Sequence, residues 1–282
     1  MGDGSARDRA VAIVTGATQA MGEAIARRLA RNGVAVLGVG RDDSRGRAVA
    51  ARIVADGFEA DFVATDVGKE DEVARAVEAV VERFGGLDIV VNNAASLDAW
   101  PPEAPVHLEP TDVFDSILRV NLYGPFWFVK YGAPVMIAGQ RGGLFVNISS
   151  YAAHRGVAGK PAYTASKGAL EALTRQVAVD YAEYGIRANT LVLGSIGVPR
   201  NAALHDDPDM AEAMRAGRLV HRAGTPDDTA AAVAFLASPD AGFITGTTLN
   251  VDGGLLAKAA VPRVAQRLAE ATAVPSSSSG GG

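Results

Sequence analysis

A chain of 282 residues, 48% hydrophobic and 21% charged, holds enough apolar material for a sizeable core, in one large domain or two small ones. Its formal net charge of −5 excludes a broad attraction to nucleic acid or an anionic membrane, and the absence of cysteine excludes disulfides, a redox thiol and a thiolate zinc site. No run approaches the roughly 20 apolar residues that span a bilayer, and the start "MGDGSARDRA" lacks the apolar stretch of a signal peptide, so the composition favours a cytoplasmic protein.

The runs "AVAIVT" (10–15) and "VAVLGV" (34–39) read as buried strands on either side of a helix, "EAIARRLARNG". Ile25 and Leu29 form its apolar stripe and Gly33 its C-terminal stop. The strand "FEADFVAT" follows, then the helix "KEDEVARAVEAVVERFG" with Val73, Val77, Val80, Val81 and Phe84 on one side. Next come the strand "LDIVVNNA", a long helix from about Thr111 to Met136, the strand "GGLFVNIS" and a helix from about Ala162 to Tyr184. The strand "IRANTLVL", a helical excursion, the helix "DDTAAAVAFLAS" and the strand "TTLNVDGG" complete the alternation.

Strands separated by helices of this length imply parallel crossovers, with helices on both faces and strands apolar throughout. The expected fold is a single doubly wound α/β domain over residues 10–257, with a central, mostly parallel sheet of about seven strands. Residues 1–9 read as a flexible N-terminus and 258–282 as a tail, with "VPRVAQRLAEA" a possible short surface helix and "PSSSSGGG" a flexible linker. Ligand sites in such sheets lie beyond the carboxyl ends of the strands, so functional residues are expected just after strands.

The first such place is "VTGATQAMGEA". Gly16 permits a tight turn, Gly22 permits close packing of helix on strand, and the N–H groups at the helix start can hold a pyrophosphate. A separate candidate, on the helix after the fifth strand, is "YTASK", which places Tyr163 and Lys167 on one helix face about one turn, roughly 5.4 Å, apart. A free tyrosine has a pKa near 10, too high for proton exchange at neutral pH, and a nearby ammonium favours the phenolate.

Together these stretches resemble the short-chain dehydrogenase/reductase family, in particular its compact, 3-oxoacyl reductase-like members. Thr15-Gly16-x-x-x-Ala20-x-Gly22 resembles TGxxxGxG, with a methyl group on the middle glycine that narrows the loop. "NNAA" (92–95) resembles NNAG, Asn121 in "VNLYG" resembles the helix asparagine, "NISS" ends at Ser150 and "YTASK" is similar to YxxxK. The likeness covers about residues 8 to 255 and implies a Rossmann-fold oxidoreductase moving a hydride between a nicotinamide cofactor and a small-molecule carbonyl or secondary alcohol.

The resemblance also implies roles. Tyr163 is the acid/base, Lys167 lowers its pKa and binds the nicotinamide ribose, Ser150 holds the substrate oxygen and Asn121 holds a water linking Lys167 to solvent. Cofactor contacts fall on Gly16, Thr18, Gln19, Met21 and Gly22 in the first loop, and on Asp66 and Val67 after the third strand. Further contacts are Asn93 and Ala94 after the fourth strand, Gly194 and Ile196 after the sixth, and Tyr163 with Lys167. Val198 stands where the family often has a threonine near the nicotinamide.

Cofactor choice turns on the end of the second strand. The position where NAD enzymes carry an acidic residue falls on Gly40, followed by Arg41, which favours NADP(H). In the other register Asp42 takes that position and NAD(H) is the cofactor; with the strand ending near Val39, Asp42 is expected beyond the ribose. Gln19 supplies no second cation near the phosphate.

Three segments are expected to wall the substrate cleft, namely 96–110, 151–161 and 195–219, with Trp100, Tyr151 and Val157 as apolar candidates. The four histidines show no metal-ligand spacing. The helix "LYGPFWFVKYGAPVM" is apolar around most of its circumference, which predicts burial on more than one side in a homotetramer or homodimer. Alternative readings are a dinucleotide-binding regulator without turnover, and an epimerase or dehydratase using the same cofactor.

Overall fold

The computed structural model describes residues 9–96, 105–199, 202 and 206–258. Its seven strands are β1 (Val11–Thr15), β2 (Ala35–Gly40), β3 (Ala60–Ala64), β4 (Ile89–Asn92), β5 (Gly143–Ser150), β6 (Ile186–Leu193) and β7 (Thr248–Val251). They form one sheet in the order β3-β2-β1-β4-β5-β6-β7, and every pairing is parallel. The order reverses between β1 and β4, which is where a doubly wound sheet opens a crevice for a ligand.

The helices are α1 (Ala20–Arg31), α2 (Asp43–Ala55), α3 (Glu70–Phe84), α4 (Thr111–Leu118), α5 (Gly124–Gly139), α6 (Pro161–Asp180), α7 (Pro208–Ala216) and α8 (Pro226–Ala237). Side chains alternate across each strand, so β1 serves two cores. Val14, Val36 and Val146 pack with Ile25 and Leu29 of α1 and Leu236 of α8. Ile13, Leu37 and Phe145 pack with Val77 and Val80 of α3 and Phe128 of α5. Each such side chain contributes about 1.5–3 kcal/mol by leaving water, which is why β1 and β2 carry no polar side. Val81, expected on the buried stripe of α3, is exposed at its edge.

Two helices differ from the sequence reading. No helix is expected between β2 and β3, where α2 stands. Its stripe consists only of Gly46, Val49 and Ile53, and Asp42 caps its first turn by accepting from Arg45 N at 3.0 Å. Gly46 lies against the Phe62 ring so closely that a Cβ would sit 2.2 Å from it. The long helix expected over 111–136 is α4 and α5 joined by a π turn, Arg119–Tyr123, in which Gly124 N–H reaches back five residues to Arg119 O. The possible surface helix at 261–271 lies outside the described residues. Among the described residues, no helix is long and apolar enough to cross a membrane.

Candidate active site

The loop after β1 is built by close approach. Gly16 has φ +68°, and a Cβ on Gly22 would lie 2.0 Å from Gly16 O. Thr15 ties this loop to the one after β4: its Oγ1 accepts from Asn93 N at 2.9 Å and Ala94 N at 2.8 Å, while Asn93 Nδ2 donates to Thr15 O at 2.8 Å. Ala20 has φ +48°, a left-handed conformation that costs a non-glycine residue roughly 1–2 kcal/mol. The middle glycine of the family pattern is thus a conformational requirement, and the methyl group costs more than the narrowing expected of it.

These loops border a cleft of about 470 Å³, within the usual range of about 300–1,000 Å³ for small-molecule sites. Gly16, Thr18, Gln19, Met21, Gly22, Arg41, Asp66, Val67, Asn93 and Ala94, all expected cofactor contacts, line it together with Val198. Gly194 and Ile196 lie after β6 around a neighbouring cavity of about 350 Å³. Gly194 permits the β6 and β7 ends to meet, since a Cβ there would lie 2.8 Å from Asp252 Cα.

The donor set fits a dinucleotide. Gln19 makes no side-chain cap to α1, so the first N–H groups of that helix remain for an anion such as a pyrophosphate. Asn93 Oδ1 is a buried acceptor without a partner. Asp66 accepts from Gly68 N at 3.0 Å through one carboxylate oxygen.

At the end of β2 a side chain on Gly40 would crowd Thr18, its Cβ falling 3.0 Å from Thr18 Cγ2. Asp42, the alternative position for cofactor choice, lines the same cleft. Its carboxyl is held below the usual range by hydrogen bonds from Arg45 N and the Ser44 hydroxyl. Beside it is a cation the sequence reading lacked, Arg45, whose NH1 donates to Gln19 Oε1 at 3.2 Å. It was missed because it sits on α2.

Further along the same edge, β5 ends at Ser150 and α6 begins at Pro161, and Lys167 of α6 reaches the end of β5 at Ile148. Lys167 is buried, with Nζ donating to Ile148 O at 2.8 Å and lying 5.6 Å from the Tyr163 ring centroid. Desolvation lowers its pKa to about 8. Ser150 Oγ accepts from Ala152 N at 3.2 Å, which leaves its proton to donate elsewhere.

Asn121, buried in the π turn, joins three elements. Its Oδ1 accepts from Ser96 N at 2.8 Å and its Nδ2 donates to Ser166 Oγ at 3.2 Å. Ser166 in turn donates to Tyr163 O at 2.7 Å. Ser166 was missed although it lies inside "YTASK".

Beneath the site, Asn92 Nδ2 donates to Asn147 Oδ1 at 2.7 Å and Asn147 Nδ2 to Thr174 Oγ1 at 2.8 Å, pinning β4, β5 and α6 in register. Glu171 Oε1 accepts from Ser149 Oγ at 3.1 Å and lies 3.1 Å from His154 Nε2, which seats the 151–160 loop on α6. No periodicity marks such polar contacts, so they leave no signal in residue order. Of the expected apolar lining, Tyr151 and Val157 are partly buried and Trp100 lies outside the described residues.

A family profile described as "Enoyl-(Acyl carrier protein) reductase" matches residues 16–256. Dehydrogenase/reductase SDR family member 4 of Bos taurus is 36% identical over 249 residues, 88% of each chain. Cis-4-hydroxycyclohexanecarboxylate dehydrogenase of Sinomonas cyclohexanicum is 37% identical over 255 residues, 90% of this chain and 99% of that one. A crystal structure of a gluconate 5-dehydrogenase from Burkholderia cenocepacia, in complex with NADP and tartrate, has a TM-score of 0.82 at 33% identity, covering 90% of this chain and 99% of that one. The chain belongs to the short-chain dehydrogenase/reductase family of oxidoreductases.

Proposed function

We propose that this protein is an NADP-preferring oxidoreductase acting on a carbonyl or secondary alcohol, with Tyr163 as the acid/base. The observation that carries the reading is the buried Lys167 ammonium 5.6 Å from the Tyr163 ring, bonded to Ile148 O in the strand that ends at Ser150. When bound in the cleft, the nicotinamide cofactor supplies or accepts the hydride. In reduction, Tyr163 O–H gives its proton to the substrate oxygen, and Ser150 donates a hydrogen bond to the same oxygen as negative charge develops there. In oxidation Tyr163 removes the proton. Lys167, still charged at neutral pH, stabilises the phenolate that proton donation leaves behind. Asn121 positions α6 through Ser166 and holds the water that links Lys167 to solvent.

The NADP preference rests on Gly40, where a carboxylate side chain would crowd Thr18, and on Arg41 at the cleft. The gluconate 5-dehydrogenase solved with NADP supports it. We also read the protein as a homotetramer or homodimer, because Tyr123 and Phe126 on the α4–α5 side and Phe243 near β7 are exposed.

Replacing Tyr163 tests the chemistry. Tyr163→Phe is expected to bind cofactor as the wild type does and to lose at least about a hundredfold in turnover, measured on a panel of ketones and secondary alcohols with both cofactors. Turnover near that of the wild type would falsify the assignment.

A further inference from the structure

Resting on the NADP reading above, we propose that Arg45 is the second cation of the 2′-phosphate site. On this proposal the Asp42 carboxylate holds Arg45 in place until the phosphate replaces it. Arg45 comes from the first turn of α2 and Gln19 from the loop before α1, and both line the cleft beside Gly40 and Arg41. Arg45 NH1 donates to Gln19 Oε1 at 3.2 Å, and its Nε lies 3.1 Å from Asp42 Oδ2. The guanidinium is therefore oriented at the end of the cleft by a neutral acceptor and neutralised by a single carboxylate oxygen.

The two oxygens of Asp42 have separate tasks. Oδ1 caps α2, accepting from Arg45 N at 3.0 Å and from Ser44 Oγ at 2.8 Å. Oδ2 faces the guanidinium. Giving up the side-chain contact therefore leaves the cap intact. The contact itself is weak, since the Arg45 and Asp42 side chains are 63% and 41% exposed, and pairs of this kind add little to stability. A phosphate monoester carries up to two negative charges and takes an arginine in a two-pronged contact, so it outcompetes a lone carboxylate oxygen. A ribose hydroxyl does not, and with NAD the Arg45–Asp42 pair stays closed. Asp42 thus masks positive charge when no phosphate is present.

Equilibrium titration of NADPH and NADH, followed by nicotinamide fluorescence, tests this on the full chain. The proteins to compare are the wild type, Arg45→Ala, Asp42→Asn and Arg41→Ala, with circular dichroism to verify folding. Arg45→Ala is expected to weaken NADPH binding about ten- to a hundredfold and to change NADH binding less than about twofold. Asp42→Asn keeps the cap, because asparagine is as good an N-cap, and is expected to tighten NADPH alone. If Arg45→Ala leaves the NADPH-to-NADH ratio unchanged while Arg41→Ala abolishes it, the Arg45 assignment is wrong and the NADP reading stands. If the wild type binds NADH more tightly than NADPH, the NADP reading fails and the Arg45 proposal falls with it.

Discussion

Lys167 places a charge where the fold does not favour one. It is 2% exposed, and desolvation brings its pKa from 10.5 to about 8, a gap worth about 3 kcal/mol. Between those two values the folded chain holds fewer protons than the unfolded chain, so this group adds stability as pH rises through the window. Below about 8 both forms are protonated and the full cost of burial is present. Lys167→Met keeps the stem and removes the charge, at the loss of the hydrogen bond to Ile148 O. The cofactor-free variant is expected to melt roughly 3–6 °C higher at neutral pH while losing turnover, and calorimetry checks it. A lower melting temperature would mean the hydrogen bond outweighs the buried charge. For the wild type, reductive turnover is expected to fall as pH rises through about 8, because neutral Lys167 no longer stabilises the phenolate.

The turn from β1 into α1 shows how local geometry and function compete. Ala20 holds φ +48° there, two residues before Gly22 packs on Gly16 O. Ala20→Gly should therefore raise unfolding free energy by about 1 kcal/mol in urea titration, and no gain would show that the turn relaxes around alanine. The strands were legible because both sheet faces demand apolar residues, and "IRANTLVL" coincides with β6 from end to end. The Tyr163–Lys167 spacing was legible because helical geometry makes it a contact. Helix α2 was not, since Gly46, Val49 and Ile53 make too thin a stripe among arginines and its glycine reads as a break. Arg45 went unseen with it. The π turn at Asn121 was equally hidden, because the shift is a matter of hydrogen-bond register that leaves no mark in residue type.

For the whole molecule, the apolar excess of α5 is only partly absorbed by its own core. Trp127 and Phe128 are buried, whereas Tyr123 just before the helix, Phe126 on it and Val179 on α6 are exposed. Phe243 is fully exposed near β7, which pairs only with β6 among the described strands. Light scattering after size exclusion at micromolar concentration is expected to give a tetramer or a dimer, and a stable active monomer would sink that reading. The parallel run of all seven strands has another consequence. It gives the protein a working rim and a holding rim. On the working rim, glycines such as Gly22 and Gly194 are held by what approaches them, so any side chain there collides with backbone. On the holding rim, Gly33 and Gly57 turn helices back into strands with nothing within 4 Å of a Cβ, and only backbone conformation constrains them. Change in this chain is thus costly to function along one edge of the sheet and costly only to stability along the other.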